Sequence, residues 1–312
     1  MRKASFLAVL LASCLIFAGC GNWHNLASPS APSRTDYSNL SSWYPCVVVQ
    51  TPGYRGSREF DTQMSAVRKL HDAGRMDWIR LGDIDSNSTG RDYATEAKSM
   101  GMRVFAIMDL IDLDAGPSWE STFDRLYSLH PEVDIWEIGG EISNPAINPK
   151  TSTPEAYMAK FKPLVSYVHQ KYPNVVLTSA PTLGSGGGPH EFERFIELGL
   201  LDMDVIIAVN IYDFSSSGYT LQNYASTFSR YSEQLSRKRI WVTETGTPFR
   251  DRQVEYVENF YPQILNSIHP EMICWYVLWD GDNGPSTHGM LNGVSTPPYT
   301  ESNLFQTLTG GR

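Results

Sequence analysis

Eight short runs of β-branched and apolar residues, each followed by an amphipathic stretch, constrain this chain more than any other feature. The runs predict strands over Cys46–Gln50, Trp78–Leu81, Arg103–Met108, Ile135–Gly139, Val175–Thr178, Val205–Ile211, Ile240–Glu244 and Ile273–Leu278. Between and after them, helical periodicity covers Arg58–Ala73, Tyr93–Met100, Trp119–His130, Thr153–Tyr172, His190–Leu200, Leu221–Ser236, Asp251–His269 and Glu301–Leu308. Ser152 or Thr153 before Pro154 and Glu155 is a helix start of the usual kind. Strand and helix alternating evenly, with no composition break, predict an α/β chain folded as a single (β/α)8 TIM barrel. A doubly wound open sheet is the structural alternative. The even spacing, and the lack of a GxGxxG after the first strand, weigh against it.

The N-terminus reads as a targeting segment. MRK supplies positive charge, and ASFLAVLLASCLIFAG is an apolar run too short for a comfortable membrane span. It ends in Phe17-Ala18-Gly19-Cys20, which resembles a bacterial lipoprotein signal, with Phe17 where Leu is usual. That resemblance implies a signal peptide over 1–19, lipidation of Cys20 and an exported lipoprotein, periplasmic or at the cell surface, held to the membrane by its lipid. Ordinary cleavage near Ala18 without lipid is the alternative. Residues 20–42, rich in Ser, Pro and Asn, read as a tether, leaving 43–312 for the barrel. A formal net charge of -9 argues against nucleic acid as a partner.

In a barrel of this type the chemistry sits at the C-terminal ends of the strands. The fourth predicted strand runs into WEIGGEISNP (Trp136 to Pro145) and brings Glu141 there; the seventh ends in WVTETG and brings Glu244. Two carboxylates facing each other across a cleft are what glycosidic cleavage needs, one to protonate the leaving oxygen and one to attack or to activate water. These two motifs resemble those of the clan A glycoside hydrolases, retaining enzymes on an eight-fold barrel, and most nearly the xylosidase and endoglycosidase group around family 39. The resemblance runs from about Cys46 to Leu308.

Residue by residue, the resemblance implies Glu141 as acid/base and Glu244 as nucleophile. It implies Tyr212, in VNIYDF, as a hydrogen-bond partner of the nucleophile, and Arg80, in IRLGD, as the cation beside it. Trp279, in WYVLWD, corresponds to the aromatic floor under the sugar, with a cis peptide often following it. No cofactor is implied. The chain departs from the clan at Gly140 and Ile142, where Asn and often Pro flank the acid/base, and at Asn210, where many relatives have His. Gly140 cannot hold the sugar's 2-hydroxyl, so a water or Asn144 is left to do it. The rival function is a carbohydrate-binding lipoprotein whose barrel has lost turnover at that position.

Other signals have plainer readings. Glu137 fits a structural ion pair, pointing low in the barrel or outward. Trp119, Trp136, Trp241 and Trp275 suit the core, while Tyr54 and Tyr219 lie in loops where a sugar contact is conceivable. Asp83, Asp85, Asp109, Asp112, Asp280 and Asp282 follow strands on the active face and suggest a polar cleft. No HxH or HExxH motif points to a metallohydrolase, no GxSxG points to a serine hydrolase, and GSGGGPH lacks the GK[ST] of a phosphate loop. Cys46 and Cys274 fall on the first and eighth strands, neighbours in a closed barrel. A disulfide is open to them, but buried thiols are the favoured expectation.

Overall fold

A computed structural model describes residues 40, 42–82, 84, 89–108, 110–143, 153–182, 188–212, 221–282 and 288–310. Its strands are β1 (Cys46–Val49), β2 (Trp78–Leu81), β3 (Arg103–Met108), β4 (Ile135–Ile138), β5 (Val176–Thr178), β6 (Ile207–Asn210), β7 (Ile240–Thr245) and β8 (Met272–Trp275), followed by a small hairpin of β9 (Leu291–Asn292) and β10 (Thr300–Glu301). The helices are α1 (Arg58–Asp72), α2 (Thr89–Ser99), α3 (Leu110–Ala115), α4 (Trp119–Leu129), α5 (Pro154–Lys171), α6 (Gly188–Glu197), α7 (Leu221–Arg230), α8 (Ser232–Leu235), α9 (Gln253–Asn259), α10 (Tyr261–Ile268) and α11 (Asn303–Thr309). Strands β1 to β8 pair in parallel in the order β5-β4-β3-β2-β1-β8-β7-β6. Single bridges from Thr178 to Ile206 and from Thr182 to Val209 bring the two edges together, so the sheet is a nearly closed (β/α)8 barrel.

Two apolar layers hold it. Cys46, Val48, Trp78, Phe105, Ile135, Trp241, Met272 and Cys274 fill the barrel interior. Their strand neighbours Val47, Ile79, Val104, Trp136 and Ile273 face outward against the helices. This is the period of two that parallel strands buried on both faces must show. The helices start where side chains can satisfy free backbone N–H groups: Ser57 accepts from Phe60, Ser118 from Ser121, Thr153 from Ala156 and Ser302 from Phe305. The helix predicted over Asp251–His269 is broken into α9 and α10, with a proline in the first turn of the second. The hairpin and α3 had no clear periodic signal.

The expectation of free thiols is overturned. Cys46 lies directly opposite Cys274 in the β1–β8 register, both on the inner face, and the two form a disulfide with Cα atoms 4.5 Å apart. Being in register on adjacent strands supplies the close, same-face approach that the sequence spacing of 228 residues hides.

Candidate active site

Arg80, inward-facing on β2, is the centre of the polar layer above the apolar interior. It is fully buried, and its Nη2 and Nε donate to Glu137 Oε1 and Oε2 at 2.7 and 3.1 Å. Its Nη1 donates to Glu244 Oε1 at 2.8 Å. Glu137 therefore points into the barrel and not outward, and the structural ion pair expected of it is with Arg80. Burial alone disfavours charge on Arg80, yet the two carboxylates outweigh it and hold the guanidinium above its ordinary value. Burial raises Glu137 above the usual carboxylate range, against the pull of Arg80.

Glu244 reaches this layer through an irregularity in β7. On β6, Val209 pairs with Val242 but Asn210 pairs with Glu244; on β8, Ile273 pairs with Val242 but Trp275 with Thr245. Both neighbours thus find one extra residue in β7, a β-bulge. Strict alternation from the inward Trp241 sends Glu244 out. The bulge turns Glu244 inward beside Thr243, which alternation already places there, and each finds a polar partner. Tyr212 donates to Glu244 Oε2 at 2.8 Å, so each oxygen of that carboxylate is held by a donor. Burial, reinforced by the charge of Glu244, raises Tyr212 well above its ordinary value and keeps its hydroxyl a donor.

Glu141 lies just past β4. Gly139, at φ 84°, turns the chain there through a conformation that glycine adopts without strain. Glu141 is 7% exposed, and Asn210 Nδ2 donates to its Oε1 at 3.0 Å. Asn210 Oδ1 in turn accepts from Thr243 Oγ1 at 2.9 Å. Glu141, Glu244, Arg80 and Asn210 line one pocket, together with Gly140, Gln50, Gly82 and Tyr276. Gly82 gives the Gln50 amide its room, since a Cβ there would come within 2.8 Å of Gln50 Oε1.

Five of the residues singled out in the sequence thus converge: Arg80, Glu141, Asn210, Tyr212 and Glu244. Trp279 does not join them. It packs in the outer core, and its indole Nε1 donates to Asp282 Oδ1 at 2.8 Å. The aromatic lining the pocket is Tyr276, two residues beyond the inward Cys274, set edge-on to Tyr212 and His288. The cis peptide expected after Trp279 lies between Tyr276 and Val277. Parity was the available signal for the residues missed: Tyr276 follows Cys274, Gln50 follows Val48, Glu137 follows Ile135 and Thr243 follows Trp241, each two positions beyond an inward residue. Asp282 serves the fold rather than the cleft, accepting from the backbone of Val294, Ser295 and Thr296. Tyr54 is exposed. Cys20, Asn144, Tyr219, Asp83, Asp85 and Asp109 lie outside the described residues.

No protein-family model matches the sequence, and no curated protein matches it either. Solved structures do match its fold, and they are glycoside hydrolases. A β-glucuronidase of Bacteroides uniformis aligns over 86% of this chain and 35% of its own at 12% identity, with a TM-score of 0.55. The catalytic domain of the major endoglucanase from Xanthomonas campestris pv. campestris aligns over 86% of this chain and 95% of its own at 13% identity, with a TM-score of 0.53. A family 128 endo-β-1,3-glucanase from Amycolatopsis mediterranei covers 86% of this chain and 100% of its own at 14% identity, with a TM-score of 0.51. This chain spans about a third of the β-glucuronidase, 35% by alignment. At these identities the likeness is one of fold and does not extend to a placement near family 39. The chain carries a (β/α)8 barrel, the fold it shares with these glycoside hydrolases, with two glutamates lining one pocket.

Proposed function

We propose that the protein is a retaining glycoside hydrolase acting on a β-linked oligo- or polysaccharide. The observation that carries this reading is the shared pocket, in which Glu244 is held on both oxygens by Arg80 and Tyr212 while Asn210 holds Glu141 on one. Glu244, oriented by its two donors, attacks the anomeric carbon, and Glu141 protonates the departing glycosidic oxygen. A water then replaces the enzyme at the anomeric carbon, with Glu141 taking its proton, and Glu244 leaves as a carboxylate. The residues themselves supply every proton and bond, so no cofactor takes part. Gln50, lining the same pocket, is a side chain that can meet a sugar hydroxyl where Gly140 offers none.

The test is turnover of cello-, xylo- and laminari-oligosaccharides by the wild type beside Glu141→Gln and Glu244→Gln. The endoglucanase and endo-β-1,3-glucanase among the structural neighbours suggest where the panel begins. Cleavage lost in both variants, with the anomeric configuration retained in the wild-type product, supports the reading. Binding in all three proteins with cleavage in none marks a carbohydrate-binding barrel instead.

The sequence also supports export as a lipoprotein, with Cys20 as the lipidated residue and 20–42 as tether. Among the described residues no helix is long and apolar enough to cross a membrane. Labelled palmitate incorporated by the full chain and not by Cys20→Ser is the expected result in a bacterial host.

A further inference from the structure

Thr243 faces the barrel interior beside Glu244 at the β7 bulge, and the mechanism above gives it no task. Its side chain and that of Asn210 are fully buried, and the two form an ordered pair: Thr243 Oγ1 donates to Asn210 Oδ1 at 2.9 Å, and Asn210 Nδ2 donates to Glu141 Oε1 at 3.0 Å. Each end dictates the next. A carboxylate only accepts, so the amide must present its NH2 to Glu141. Its carbonyl is then left facing a buried hydroxyl, which satisfies it by donating.

We propose that Thr243 is a positioning residue which, through the Asn210 amide, fixes the oxygen of Glu141 that carries the transferable proton. This rests on the reading of Glu141 as acid/base. With Oε1 accepting from an N–H donor, a proton on that oxygen is disfavoured. Without the Thr243 hydroxyl, Asn210 Oδ1 is a buried acceptor lacking a donor, a costly state that turning the amide over relieves. The turned amide aims its carbonyl at Glu141, where it can accept only from the protonated acid. Glu141 then holds its proton more tightly, and on the wrong oxygen. Among the described residues, the other charged or titratable groups around Glu141 include Arg80 on β2, Glu137 on its own strand, Glu244 on β7, Tyr212 after β6, Tyr276 after β8, Tyr224 on α7 and, beside Tyr224, Glu191 on α6. None of them changes in the variants below.

The experiment follows the Glu141 carboxyl by 13C NMR in glutamate-labelled full-length protein, assigned with Glu141→Gln, across wild type, Thr243→Val, Thr243→Ser, Asn210→Leu and the Val/Leu double variant. In Thr243→Val the midpoint rises by roughly half to one pH unit, the worth of one hydrogen bond. Thr243→Ser, which keeps the hydroxyl, restores the wild-type midpoint. Asn210→Leu raises the midpoint by itself, and adding Thr243→Val to it moves nothing further. Where turnover is measurable, the alkaline limb of the pH–rate profile moves with the NMR midpoint. An unmoved midpoint in Thr243→Val, or an additive shift in the double variant, overturns the proposal. Should Thr243→Val not fold, an unmoved midpoint in Asn210→Leu overturns it equally. A wild type that cleaves nothing sinks the functional reading alone, because the NMR midpoint still decides the positioning.

Discussion

Arg80 Nη1 lies 2.8 Å from Glu244 Oε1, joining residues 164 positions apart in the sequence. The same guanidinium is gripped on its other edge by Glu137, fully buried, at 2.7 and 3.1 Å. One planar cation thereby serves two carboxylates on β4 and β7, which a lysine ammonium cannot do with this geometry.

Arg80→Met leaves Glu137 buried without its cation. The expected loss is about 3–5 kcal/mol of stability, together with cleavage. Replacing both partners, as Arg80→Met with Glu137→Leu, recovers most of that stability because the fully buried carboxylate goes with its cation. It does not recover cleavage, since Glu244 still lacks the donor on Oε1. Thermal melts and turnover on the same samples separate the two effects.

Tyr276 and Trp279 differ in what they support. Tyr276→Ala removes the aromatic wall of the pocket, and kcat/KM is expected to fall roughly tenfold, the worth of an aromatic contact, with little change in melting. Trp279→Ala acts the other way. It opens a cavity in the outer core and removes a donor to Asp282, costing about 3–5 kcal/mol of stability, while any protein that stays folded keeps its turnover. A Trp279 variant that folds normally and loses turnover refutes this division.

Asp282 ties the segment from Val294 to Thr296 to the end of the barrel. Burial opposes its charge, but bonds from Ser295, Trp279, Thr296 and Val294 prevail and bring it from 3.8 to about 2. A carboxyl lowered on folding stabilises the native state above its unfolded value, and that contribution is lost as pH falls through about 2. Stability measured by denaturant from pH 5 down to pH 2 therefore falls less steeply in Asp282→Asn than in the wild type, the variant being weaker at pH 5.

The Cys46–Cys274 bond closes a loop of most of the domain, its ends 228 positions apart in the sequence. In denaturant without reductant, neither cysteine takes an alkylating label; with reductant both do. Cys46→Ser with Cys274→Ser lowers stability by about 2–4 kcal/mol through the freed unfolded chain. Turnover at moderate temperature is unchanged, because the bond lies in the apolar interior beneath the polar layer.

How far the sequence reached is clearest along β7 and β8. The alternation of apolar runs with amphipathic stretches determined the strands, their succession and the barrel, since burial on two faces and a helical stripe are local patterns of residue type. It also determined that Glu141 and Glu244 stand near strand ends, and that Arg80, Asn210 and Tyr212 do so on neighbouring elements. Which way each side chain points was decided by pairing. The extra residue in β7 becomes a bulge only against β6 and β8, and without it Glu244 faces the helices. Tyr276 rather than Trp279 meets the pocket because β8 is registered on β1 through Cys274 and Cys46, and the same register makes the disulfide. Residue type sets which elements form, because propensity and burial act over a few neighbours. Register and bulges come from hydrogen bonds between strands distant in sequence, so the folded barrel alone decides what faces the cleft.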